Sequence, residues 1–249
     1  MENWQERTEL LLGNDKIQTL KNAKVLVVGL GGVGAYAAEM LVRAGIGNIH
    51  IIDADAVHPS NINRQLLALQ STVGQSKAEL MKLRLLDINP NLNIVAEQIF
   101  IRDEITPELL SQKFDFVVDA IDTLAPKIFL IAEALKQNIP LVSSMGAGGK
   151  TNPSLVQLAD FSDTYNDKLA RMLRKRMHKM GIRKGFKVVF SSEQSDPDSI
   201  KFIENESNKK TTAGTISYMP ALFGIFLASE VIRQIALIED YNPMPKMDL

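Results

Sequence analysis

Residues 25–34 read VLVVGLGGVG. A β-branched apolar run ending in closely spaced glycines describes a buried strand that turns directly into a helix N-terminus, where backbone N–H groups and the helix dipole attract phosphate. Few folds accommodate this pattern, and it predicts a nucleotide-binding α/β architecture. Gly29, Gly31 and Gly34 satisfy the dinucleotide fingerprint, with Asp53 near the offset of the ribose acid. Gly31, Gly32 and Gly34 let the backbone approach phosphates with no Cβ in the way.

The residues that follow decide which nucleotide is expected. Asp55, Asn61, Arg64, Gln65 and Lys77 come after Asp53. A nicotinamide enzyme has no need of such a cluster, whereas an enzyme that splits ATP must hold a triphosphate, neutralise the leaving pyrophosphate and seat magnesium on carboxylates. A nicotinamide-dependent oxidoreductase or redox sensor is therefore the distant alternative, distinguished by preferring NAD over ATP.

GLGGVG, DADAVHPSNINRQ, GQSK at Gly74 to Lys77 and DAID at Asp119 to Asp122 resemble the adenylating domain of the ThiF/MoeB/HesA superfamily, relatives of the ubiquitin-activating enzymes. The resemblance extends through RTELLLG at Arg7 to Gly13 and GAGGKTNPSLVQLAD at Gly146 to Asp160, covering nearly the whole chain. Within the superfamily the chain is most similar to the tRNA threonylcarbamoyladenosine dehydratases.

The sequence contains no cysteine, which excludes disulfides, a thiolate nucleophile and Cys-ligated zinc. Sulfur-carrier activators of this superfamily usually carry two CxxC pairs for zinc, and ubiquitin-type activators use a thiolate; neither chemistry is available here. No basic segment followed by a long apolar stretch opens the chain, so a cytoplasmic enzyme is expected. Ile216 to Ile238 approaches bilayer length, but Pro220, Gly224, Glu230 and Arg233 mark it as a buried helix of the core or of a subunit interface.

Strand-like runs at Lys24 to Leu30, Asn48 to Asp53, Asn93 to Ile101, Phe114 to Ala120 and Pro140 to Ser144 alternate with helical patterns at Val33 to Ala44, Gln75 to Asp87 and Ala125 to Gln137. Such alternation predicts a Rossmann-like, doubly wound, mainly parallel sheet, whose ligands bind at the carboxyl ends of the strands. Gly29, Asp53, Asp119 and Gly146 fall at those ends. Ser154 to Ala159 and Phe186 to Ser191 read as strands flanking a basic helix, and Ser192 to Thr212 as a polar loop. The expectation is one adenylating domain over 1–249, with residues 1–150 holding the nucleotide and 151–249 forming a substrate-side elaboration. With 249 residues and 45% hydrophobic content, the chain can bury such a core.

The formal net charge is only −1, yet Lys168 to Lys187 holds nine Lys or Arg residues and no acid. Leu169, Met172, Leu173, Met177 and Met180 recur at helical spacing and are expected to pack, while Lys168, Arg171, Arg174, Lys175 and Lys179 are expected to meet tRNA phosphates. The other role for a charge run is a solvated face. No recognised RNA-binding module is present, and His50, His58 and His178 lack metal-site spacing.

The resemblance implies roles for single residues. Asn61, Arg64, Gln65 and Lys77 match phosphate-binding positions, Arg64 suited to bidentate contact and Lys77 to a point charge. Asp53 would accept the ribose hydroxyls; Asp55 either helps the metal or fixes its turn. Asp122 would hold magnesium, and Asp119 either contacts the nucleotide or caps the next helix. Gly146 to Gly149 either line the acceptor pocket or form a turn. Arg7 matches an arginine that reaches into the partner subunit's nucleotide site, which implies a homodimer.

The implied activity is ATP-dependent adenylation of the threonylcarbamoyladenosine carboxylate beside the tRNA anticodon, followed by ring closure with net loss of water. A nucleophile tethered to the acyl group needs no enzyme thioester. The alternative within the superfamily is an activator of a ubiquitin-like sulfur-carrier protein. The ring isomer, a sulfur-acceptor-like partner protein and a monovalent cation stay open.

Overall fold

The computed structural model describes residues 3–102, 104–202 and 211–238. The elements in chain order are α1 (Glu6–Leu12), α2 (Asn14–Asn22), β1 (Lys24–Val28), α3 (Gly34–Ala44), β2 (Asn48–Ile52), α4 (Lys77–Ile88), β3 (Asn93–Glu97), α5 (Thr106–Ser111), β4 (Phe116–Asp119), α6 (Leu124–Lys136), β5 (Leu141–Ser144), β6 (Val156–Asp160), α7 (Lys168–Lys179), β7 (Lys187–Ser191), β8 (Ile200–Phe202), β9 (Thr211–Ala213) and α8 (Tyr218–Ile235).

Seven strands form one sheet in the order β3-β2-β1-β4-β5-β7-β6. All neighbours are parallel except β6 and β7. Strands from the C-terminal elaboration thus extend the nucleotide-side sheet. Side chains that alternate along each strand separate two cores. Val25 and Val27 of β1 join Ile49, Val118 and the buried faces of α3, α4 and α8. Leu26 and Val28 face the other way, toward Val117, Val188 and the buried faces of α5, α6 and α7.

The long apolar segment forms α8, which buries Met219, Phe223, Leu227 and Val231. Its crossing with α3 is close: a Cβ at Gly224 would lie 2.4 Å from the Val33 carbonyl oxygen. Among the described residues no helix is long and apolar enough to cross a membrane.

Two local expectations need correction. Ser192 to Thr212, read as a polar loop, holds β8 and most of β9, which pair antiparallel, while residues 203–210 of that reading lie outside the described residues; the short length of the two strands leaves too little alternation to read. On the basic helix, Ala170, Leu173 and Met177 form the buried stripe, whereas Met172 and Met180 are about half exposed. Residues 170, 173 and 177 follow the i, i+3, i+7 geometry of a single helix face, and 172 and 180 lie off it.

Candidate functional site

The strand β1 ends in a turn that only glycine backbone can make at this density. Gly29 has φ +90°, and a Cβ there would lie 2.8 Å from the Ala120 carbonyl oxygen. At Gly34 a Cβ would meet the Gly29 carbonyl oxygen at 1.8 Å. The turn therefore sits directly against the chain leaving β4, which carries Asp122. Asp122 is exposed at the start of the segment leading into α6.

Asp53 fixes the other side of the turn. Its Oδ2 accepts a hydrogen bond from Leu30 N at 2.6 Å and its Oδ1 accepts one from Asp55 N at 2.8 Å. Burial pushes its carboxyl above the usual carboxylate range, against the lowering influence of Lys77 and these two N–H groups. Lys77, at the first turn of α4, lies 3.9 Å from Asp53 and donates to Asp55 Oδ2 at 2.8 Å. A bridge between Ala56 and Ser76 brings these segments together. Lys77 is buried, with its ammonium beside the two carboxylates.

The Asn61 to Gln65 segment covers the glycines from above. A Cβ at Gly32 would lie 3.3 Å from the Arg64 carbonyl oxygen and 3.0 Å from Pro220 Cβ. A Cβ at Gly31 would lie 3.7 Å from Gln65 Nε2, and among the described residues the buried Gln65 Oε1 has no hydrogen-bond partner. Arg64 donates to the Ser60 carbonyl and to Asn63 Oδ1, both at 2.9 Å. Asn61 Oδ1 accepts from His58 N at 3.0 Å, holding the turn that presents Arg64. The backbone N–H groups of the glycine turn suit phosphates, whereas the Gln65 amide oxygen at its edge is an acceptor and suits a hydroxyl or amino group of a ligand.

Asp119 is a correction to the nucleotide-contacting set. It is fully buried; its Oδ2 accepts from Lys127 Nζ and Ser143 Oγ, each at 2.6 Å, and its Oδ1 accepts from Ile121 N at 3.1 Å. Neither oxygen is presented to the crevice. The residue instead ties β4, β5 and α6 beneath the Asp122 segment. A signal for this was present: Lys127, Leu130, Ile131 and Ala134 occupy one helical face, so Lys127 required a buried acid.

Arg174, half-buried on α7, is engaged within the protein. Its Nη1 donates to the Thr164 carbonyl at 2.6 Å and to Thr164 Oγ1. Lys168, Arg171, Lys175 and Lys179 remain exposed on α7. Arg7 is exposed on α1, whose Leu10 and Leu11 are 80% and 81% exposed.

Reading single residues missed the C-terminal counterpart of this cluster. Asp167, Lys150 and Glu193 come from three separate segments and converge on the loop leaving β5. Burial holds the Asp167 carboxyl above its ordinary range and the Lys150 ammonium below its own. The one legible signal was Asp167 immediately before a helix, a preferred N-cap.

The profile of the ThiF family matches residues 5–247. The chain belongs to the ThiF family. It is 42% identical over 236 residues to the tRNA threonylcarbamoyladenosine dehydratase of Bacillus subtilis, covering 92% of this chain and 93% of that protein. It is 40% identical over 200 residues to the Escherichia coli protein of the same description, covering 76% and 75% respectively. The crystal structure of the E. coli enzyme with ATP superimposes with a TM-score of 0.85 at 35% identity, covering 95% of this chain and 96% of that one. Membership in this family and the ATP complex of a relative with the same Rossmann-like fold bear out the family and fold read from the glycine turn and its downstream motifs.

Proposed function

We propose that this ThiF family member is an ATP-dependent tRNA threonylcarbamoyladenosine dehydratase. The observation that carries the reading is the meeting of the glycine turn, the Asp122 segment and the Arg64 segment at the carboxyl ends of β1 and β4, in a chain without cysteine. Similarity over nine-tenths of both chains to a dehydratase supports the same reading.

In this reaction a carboxylate oxygen of the threonylcarbamoyl group attacks the α-phosphorus of ATP. Pyrophosphate leaves, and an acyl adenylate forms on the substrate. A nucleophile within the same group then attacks the acyl carbon, and AMP departs with the former carboxylate oxygen. The ring closes, and the substrate has lost the elements of water. Because both reacting groups are tethered, a high effective molarity replaces the enzyme thioester used by relatives with a cysteine.

The glycine turn receives the phosphates on backbone N–H groups, and Asp53 stands at the ribose side. Arg64 and Lys77 neutralise the phosphate charge that develops as pyrophosphate leaves; to do so Lys77 exchanges part of its contact with Asp55 for phosphate. Asp122, exposed at the rim, fits magnesium, which typically takes one or two carboxylates together with substrate phosphates and offsets charge repulsion there. Among the described residues no group of three or more metal-ligating side chains gathers.

Lys168, Arg171, Lys175 and Lys179, exposed on α7, form the tRNA surface. Arg7, on a helix with two nearly fully exposed leucines, reaches the nucleotide site of a second copy in a homodimer. A cytoplasmic location accords with this function.

Mass spectrometry of nucleosides from tRNA incubated with enzyme and ATP tests the proposal. The expected result is loss of threonylcarbamoyladenosine and gain of a product lighter by one water, matched by AMP and pyrophosphate. Asp122→Ala should lower the product rate about a hundredfold or more, as expected for losing a metal ligand in the transition state. AMP transfer to a ubiquitin-like protein's C-terminus, with tRNA unaltered, would assign the chain to the carrier-protein activators.

A further inference from the structure

The loop leaving β5 is clamped to two different parts of the molecule. Toward the crevice, Gly149 N donates to the Gly214 carbonyl at 2.7 Å, and Tyr218 Oη donates to the Thr151 carbonyl at 2.8 Å. The same strap before α8 accepts from Asn63 Nδ2 at the Thr215 carbonyl, 2.9 Å away. Asn63 in turn holds Arg64. The loop is therefore continuous, through hydrogen bonds, with the segment that covers the glycine turn.

Toward α7 the same loop is held by buried charge. Asp167 is 6% exposed, and its two oxygens serve different elements: Oδ2 accepts from Gly146 N at 2.9 Å and Oδ1 accepts from Ala170 N at 2.7 Å in the first turn of α7. Beside it the Lys150 ammonium donates to the Asn166 carbonyl at 3.1 Å and to the Glu193 carbonyl. The Glu193 carboxylate accepts from Thr151 N at 2.8 Å and Asn152 N at 2.9 Å. A helix cap needs only one oxygen. The second oxygen of Asp167 is committed to the crevice loop.

We propose that Asp167 is a positioning residue for the tRNA reaction: its carboxylate joins the crevice loop to the N-terminus of α7, registering RNA bound along α7 against the nucleotide site. The inference rests on reading the crevice as the ATP site and α7 as the tRNA face. Proximity catalysis is steep in distance, since a displacement of about 1 Å can cost on the order of a hundredfold in rate. A helix that binds RNA firmly but floats relative to the crevice would retain affinity and lose rate.

The test uses the full-length protein with tRNA carrying threonylcarbamoyladenosine. In Asp167→Ser the single hydroxyl oxygen continues to cap α7 but does not also reach Gly146. The kcat per ATP-binding subunit should fall about tenfold or more, while the KM for tRNA and the affinity for ATP stay within about twofold. Asp167→Asn, which retains size but offers only one acceptor oxygen, should show the same split and serves if the serine variant folds poorly. A purely structural role would lower the melting temperature or the ATP-competent fraction and leave the normalised kcat unchanged, which overturns the proposal.

The triple variant Lys168→Ala, Arg171→Ala, Lys175→Ala separates the two readings. Its tRNA affinity should fall and the salt dependence flatten, with ATP affinity retained. Unchanged tRNA affinity would remove α7 as the RNA face and the proposal with it. Weakened tRNA binding in the triple variant alongside wild-type kcat in Asp167→Ser would retain the RNA face and overturn the joint alone.

Discussion

The two sides of the crevice are held by different means. On the nucleotide side, backbone lies against backbone where glycines omit a Cβ, with a single carboxylate, Asp53, on the backbone N–H groups of Leu30 and Asp55, and the fully buried Lys127 to Asp119 pair supports the next loop from below. On the substrate side, the loop leaving β5 is held by charged side chains that bind backbone groups: Asp167 on Gly146, Lys150 on two carbonyls, Glu193 on Thr151 and Asn152. Steric contacts do not titrate and yield little, whereas charge-to-backbone bonds can be removed one at a time. The nucleotide side should therefore fail as a unit, and the substrate side by degrees.

The largest expected effect breaks the buried pair. Lys127→Met leaves the Asp119 carboxylate buried without its cation, a change that typically costs about 3–5 kcal/mol. Chemical denaturation should show that loss, and the double variant with Asp119→Leu should recover much of it. Equal stability of the single variant and the wild type would mean the support is not electrostatic.

Gly34→Ala tests the steric half of the comparison. The added methyl meets a backbone oxygen that no side-chain rotation can move, so the cost should sit at or above the upper end of the roughly 1–3 kcal/mol of ordinary overpacking. Calorimetry should show a lowered melting temperature together with lost ATP binding. ATP binding at wild-type strength would show that the turn can yield.

The smallest effect sharpens the substrate side. Burial works to raise the Glu193 carboxyl, but hydrogen bonds from Asn152 and Thr151 outweigh it and hold the group below its ordinary range. A depressed folded value contributes stability above the unfolded carboxylate pKa of about 4.3, and that contribution disappears as pH falls through the folded value. Between pH 6 and 3 the wild type should lose more melting temperature than Glu193→Gln. Parallel curves would show that the clamp does not depend on charge.

Much of the nucleotide side was legible because its constraints are local. Alternating apolar strands, closely spaced glycines and the Asp53 offset are short-range patterns, and β1, α3 and β2 lie where those patterns place them. The substrate side was less legible. Gly146, Lys150, Asp167 and Glu193 span 48 positions of sequence, and no spacing among them announces a contact. The sequence placed Asp119 at a strand end and Arg174 on a basic helix, and the structure has both there. Their partners, Lys127 and Thr164, lie eight and ten residues away, across a loop or turn that residue spacing alone does not close.

Composition and local periodicity by themselves determined the Rossmann-like alternation, the glycine turn, the absence of thiol chemistry and the basic character of α7, since each follows from residue type or from neighbours within a few positions. Tertiary structure alone decided which charges face solvent and which are absorbed. An ionised group is tolerated in the interior only where distant segments bring a counter-charge or backbone dipole within hydrogen-bond reach, and that condition is met in three dimensions.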